Sequence, residues 1–149
     1  MLRPRTLFLG LILCAAQLCF ARDLAIVANK SNATSTVTAA ELEKILKLSV
    51  SSWPDGKKVK IFMTDPGSLE SKTILPRVYK ITPGEIKALA DAHKADIQIV
   101  GSDDIVLTMV DNNPGAIGVV NVYSINSQVK VLKIDGKLPM EQGYLLHGN

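Results

Sequence analysis

Cysteine is almost missing from this sequence: Cys14 and Cys19 are the only two, and both fall within the first 21 residues. Beyond Ala21 there is no thiol to form a disulfide, to ligate a metal or to act as a nucleophile. Histidine is nearly as scarce. His93 and His147 are far apart, and a zinc site would have to recruit both together with carboxylates. Aromatic residues make up 5% of the chain, too few for a surface that stacks single-stranded nucleic acid. No Gly-x-Ser-x-Gly elbow, no dinucleotide glycine fingerprint and no phosphate loop ending in Gly-Lys-Ser/Thr is present. With no nucleophile paired to a base, the chain reads as non-catalytic, with no metal and no cofactor.

Long hydrophobic runs are also lacking, with one short exception. Arg3 and Arg5 precede an apolar run from Leu7 to Ala16, and Cys19-Phe20-Ala21 places small residues where a signal peptidase reads them. A membrane-spanning helix needs roughly 18 to 20 apolar residues, so a cleaved leader over 1–21 is expected rather than a permanent span. Leu13 and Leu18 stand where a lipoprotein would carry a small residue before its modified cysteine, which argues against lipidation. Removing the leader changes the charge argument. The 17 Lys and Arg residues fall to 15 against 14 acidic ones, a net charge of about +1, and the support for nucleic-acid or membrane binding goes with it. What remains, 22–149, is expected to be one periplasmic or secreted domain held by its apolar core.

The hydrophobic share of 47% supports such a core. Leu24 to Ala28 is an apolar run that reads as a buried strand, followed by a polar loop from Asn29 to Thr36. Thr38-Ala39-Ala40-Glu41 is a capping box opening a helix over Ala39 to Leu48, and Thr82-Pro83-Gly84-Glu85 opens another ending near Ala95. Between them, Lys58 to Met63 alternates as a strand, and a helix starting near Ser68 runs into Pro76. Ile97 to Val100 is a brief strand, and Ser102 caps a helix with Asp103 and Asp104 in its first turn. Ala116 to Val122 and Val129 to Ile134 are two more strands, and a loose tail follows Asp135-Gly136. Strands alternating with helices imply parallel pairing in one layered α/β domain.

In such a sheet, ligands gather where strands end and helix amides point outward. Two junctions concentrate hydrogen-bonding groups. The first carries Ser31 and Asn32, the second Asp65, Gly67, Ser68, Ser71 and Lys72. Facing one another, they could hold a small oxyanion through hydroxyls, backbone amides and one cation. Equally, serine and asparagine cap and turn chains without binding anything.

Ile26-Val27-Ala28-Asn29-Lys30-Ser31-Asn32, the Thr-capped helix, Trp53 with Asp55-Gly56, Asp65-Pro66-Gly67-Ser68 and Asn113-Pro114-Gly115-Ala116-Ile117-Gly118-Val119-Val120 follow in order. This succession resembles the second lobe of the periplasmic phosphate-binding proteins, over about Leu24 to Val122. The resemblance implies a single-lobe α/β domain of the type 2 periplasmic-binding-protein kind, with a mainly parallel sheet and flanking helices. It further implies phosphate or a similar oxyanion as ligand, bound weakly or with a partner chain, and a transporter or periplasmic protein as partner. Departures from the family are also visible. Leu69 follows Gly67-Ser68 where the family's anion loop continues with glycine, and Lys72 stands where short relatives carry arginine. Lysine cannot grip an oxyanion bidentately. The same sequence is also compatible with an accessory module that keeps the fold and has lost the ligand.

Overall fold

The computed structural model describes residues 22–148; the expected leader, 1–21, lies outside them. Five strands form the main sheet: β1 (Leu24–Asn29), β3 (Lys60–Met63), β4 (Ile97–Ile99), β5 (Ala116–Asn121) and β6 (Val129–Val131). Their spatial order is β4-β3-β5-β1-β6. β3 pairs in parallel with both β4 and β5. A second sheet of two strands joins β2 (Thr36–Val37) to β7 (Lys133–Ile134).

The helices are α1 (Ala39–Leu46), α2 (Ser71–Ile74), α3 (Pro76–Tyr79), α4 (Pro83–Ala92) and α5 (Asp103–Asn112). Both expected capping boxes form, Thr38 with Glu41 and Thr82 with Glu85. Each satisfies amides that a helix start leaves unpaired. Pro76 interrupts the helix, one of the two effects expected of it: α2 ends at Ile74 and Pro76 occupies the first position of α3, where its missing N–H costs nothing.

The central strands alternate between two cores. Leu24, Ile26 and Ala28 face one side with Ile61, Met63, Ile117 and Val119, against Leu42, Ile45, Leu75 and Ile86 from the helices. Ala25 and Val27 face the other side with Phe62 and Val120, covered by Val106, Leu107 and Val110 of α5. Helices on both faces explain why β1 and β5 read as unbroken apolar runs.

Three expectations need correction. β1 is antiparallel to both of its neighbours, β5 and β6, so one strand runs against the other four of the main sheet. The apolar stretch Val129 to Ile134 is not one strand: buried Leu132 separates β6 from β7, and the chain passes from one sheet to the other. The tail after Gly136 is not loose. Tyr144 and Leu146 are fully buried, Tyr144 Oη donates to the Leu24 carbonyl at 2.8 Å, and Leu24 N donates to the Leu146 carbonyl. Apolar side chains of the tail thus complete the core beside β1. No helix among the described residues is long and apolar enough to cross a membrane.

Candidate functional site

The reversed β1 divides the expected site. Because β1 runs opposite to β3 and β5, the loop after it lies at the edge where those strands begin. Asn29 Nδ2 reaches the carbonyls of Val110 and Asp111 at the C-terminus of α5, at 2.9 and 2.8 Å. Asn29 Oδ1 accepts the N–H and hydroxyl of Ser31, and Asn32 Oδ1 accepts the N–H of Thr34. Lys57 and Lys130 donate to the carbonyls of Ser31 and Asn32. Ser31 and Asn32 are therefore turn residues at the start edge of the sheet. Asp65, Gly67, Ser68, Ser71 and Lys72 follow the end of β3, at the opposite edge. The expected opposition of the two loops is not formed.

The segment after β3 is wired to itself and to the end of β5. Asp65 Oδ1 accepts the Gly67 N–H at 2.8 Å, and the Asp65 carbonyl accepts the Ser68 N–H at 3.1 Å. Ser68 Oγ accepts the Ser71 N–H at 3.3 Å. Three amides that an anion could have used are thus engaged internally, whereas those of Leu69 and Glu70 have no acceptor among the described residues. Lys72 is exposed and Ser71 buried.

Four residues not singled out for binding, Asn121, Glu70, Asp103 and Ser124, complete this edge. Asn121, at the end of β5 and 8% exposed, donates through Nδ2 to Glu70 Oε2 at 2.9 Å. Its own N–H donates to Asp103 Oδ2 at 2.9 Å, and the Ser124 hydroxyl donates to the same oxygen at 2.7 Å. Asp103, expected only to favour the helix end, therefore ties α5 to β5, while Ser102 caps the helix as expected, accepting from Ile105 N. The sequence signal for Asn121 is a polar residue closing an apolar strand at its ligand-facing end.

A cavity of about 30 Å³ lies here, lined in part by Thr64, Ser68, Glu70, Ser71, Asp103 and Asn121. Glu70 and Asp103 give its wall the wrong sign for an anion. Any oxyanion would have to sit on the open side, over Leu69, Glu70 and Lys72. His93 and His147 lie on the surface, and no cluster of potential metal ligands occurs among the described residues.

No family profile matches the chain. A segment of 46 residues is 50% identical to phosphate-binding protein PstS 2 of Streptococcus agalactiae, covering 30% of this chain and 16% of that protein. An ABC-type phosphate transport receptor from Vibrio cholerae superposes with a TM-score of 0.64 at 19% identity, over 80% of this chain and 48% of the receptor. PstS from Borrelia burgdorferi superposes with a TM-score of 0.68 at 20% identity, over 87% of this chain and 56% of the other. A substrate-binding protein of a phosphate ABC transporter from Clostridium perfringens, solved with phosphate bound, gives 0.63 at 17% identity over 78% and 46%. The chain thus spans about half the length of these solved relatives. The expected resemblance holds in the fold: this is an α/β unit of the periplasmic-binding-protein kind, similar to the substrate-binding proteins of phosphate ABC transporters.

Proposed function

We propose that the chain is an exported, non-catalytic substrate-binding domain of a phosphate transport system, presenting half of a site for a small oxyanion. The observation that carries this reading is the likeness to phosphate transport receptors over most of this chain but only about half of theirs. Two-lobed binding proteins gain affinity by closing around a ligand and excluding water. A single open face offers one exposed cation, Lys72, two amides and the Ser68 hydroxyl, whose interactions solvent screens. Binding by this face alone is weak, and a second chain strengthens it. Calorimetric titration with phosphate tests the reading. The expected dissociation constant is no tighter than roughly 10 to 1000 μM, about 4 to 7 kcal/mol. Heat changes no different from those of a chloride control would overturn it.

A specific observation favours one alternative. Three of the segment's amides are engaged by Asp65 and Ser68, and Glu70 and Asp103 line the cavity, as suits an accessory module that has kept the fold without the ligand. That module would give no phosphate heat while still binding a transporter or periplasmic protein.

A further inference from the structure

The cavity at the end of β5 brings together two carboxylates that no cation of the chain neutralises. Asn121 holds both, donating through Nδ2 to Glu70 Oε2 and through its N–H to Asp103 Oδ2. Glu70 and Asp103 line the cavity half-buried, and neither has a lysine or arginine partner among the described residues. Their other oxygens, Glu70 Oε1 and Asp103 Oδ1, make no hydrogen bond there. Asp65 and Asp104 add exposed negative charge on the same segments, and Lys72, two residues beyond Glu70, is exposed and pairs with none of the four.

Ser71 points to an occupant independently of the acids. It is 5% exposed and lines the same cavity. Its N–H goes to Ser68 Oγ and its carbonyl accepts from Leu75 N, yet its hydroxyl has no hydrogen-bond partner among the described residues. Leaving a polar group unpaired at that depth is costly. Two free carboxylate oxygens and one free hydroxyl at one cavity match the three donors of a primary ammonium. A cavity of about 30 Å³ admits such a group, which is the size of a water molecule. Among the described residues no third carboxylate or imidazole joins the pair, as a metal ion would want.

We propose that this cavity takes the ammonium of a small amine-bearing oxyanion, an aminoalkyl phosphonate or phosphate, whose anionic end lies over the open side. The anionic half of that ligand rests on the oxyanion half-site proposed above; the ammonium half does not. Glu70 spans the two positions, since its free N–H belongs to the open side with that of Leu69 while its carboxylate lines the cavity. A short spacer between amine and anion therefore suffices. The same arrangement accounts for an acidic wall beside a half-site for an anion. Glu70 and Asp103 repel a bare oxyanion, whereas a zwitterion meets each charge with its opposite. Hydrogen bonds from an ammonium to carboxylates are the strong, charge-assisted kind, so they decide which oxyanion is preferred.

Calorimetric titration of the exported protein with 2-aminoethylphosphonate and with propylphosphonate, which has a methyl group in place of the ammonium, tests it. The amine is expected to bind about tenfold or more tighter. Glu70→Gln and Asp103→Asn should each remove most of that preference and leave propylphosphonate affinity equal or higher. Ser71→Ala, which deletes only the unpaired hydroxyl, should lower the preference several-fold with the melting temperature unchanged or raised. Equal affinity for the two phosphonates, or a preference that survives both carboxamide substitutions, would overturn the proposal. The ammonium site and the half-site fail separately. Ethylamine that moves the Glu70, Ser71 and Asn121 amides, with no heat from propylphosphonate, keeps the ammonium site and removes the half-site. Propylphosphonate bound as well as the amine, with no amide moved by ethylamine, keeps the half-site and removes the ammonium site.

Discussion

The hydroxyl of Tyr144 donates to the Leu24 carbonyl, whereas that of Tyr79, equally enclosed, meets no acceptor among the described residues. Removing each should therefore have different consequences. Tyr144→Phe leaves a buried carbonyl unpaired and should cost about 1 to 3 kcal/mol, while Tyr79→Phe removes an unsatisfied group and should be neutral or slightly stabilising. Denaturant midpoints measured side by side decide this. Burial raises the pKa of both phenols, and for Tyr144 the Asp23 charge adds to it. Because the folded pKa lies above the unfolded one, both tyrosines stabilise the fold fully below about pH 10, the ordinary phenol value, and lose that contribution as the pH rises above it. Glycine supplies a second comparison. A Cβ on Gly118 would lie 2.5 Å from Val106 Cγ1 and 2.9 Å from Val110 Cγ2, side chains of α5 that can shift somewhat. On Gly115 it would lie 2.0 Å from the Lys58 carbonyl oxygen, which is backbone. Gly118→Ala should cost about 1 to 3 kcal/mol and Gly115→Ala more. The sequence shows that these glycines occur in a Pro-Gly-Ala-Ile-Gly stretch, but not which atoms press on them.

Local signals were the most legible part of the fold. Thr38 and Thr82 announce their helices through short-range hydrogen bonds, and both boxes are present. Thr38→Ala should cost about 0.5 to 2 kcal/mol, read from the thermal midpoint. Ile117, fully buried in β5, should cost about 2 to 4 kcal/mol when cut to alanine, through transfer and cavity terms. The direction of β1 was not legible. Leu-Ala-Ile-Val-Ala, buried on both faces, presents the same pattern read either way, and only pairing with β5 and β6 fixes its sense. That ambiguity misplaced Ser31 and Asn32. The segment from Asp65 to Lys72 was found because its turn residues stand beside a clear strand. Glu70 and Asn121 were missed, since their contact joins distant parts of the chain. The split of β6 from β7 escaped for a related reason: Leu132 is as apolar as its neighbours, and only packing shows where the chain changes sheets.

At the level of the whole chain, N-terminal mass analysis of the exported protein should give Arg22 as the first residue, in keeping with the small residues before it. Met1 retained in a membrane fraction would remove the reading of a released domain. The reversed strand also bears on when folding can occur. β1 comes first among the described elements, yet it sits inside the main sheet between β5 and β6, and Tyr144, 120 positions further on, closes over it. Such non-local pairing delays folding until the distant segments are present. In the export proposed above, the first strand of a chain with this order would have nothing to pair with while it threads through a translocation channel, so the polypeptide would stay unfolded and transport-competent until its last segments had crossed.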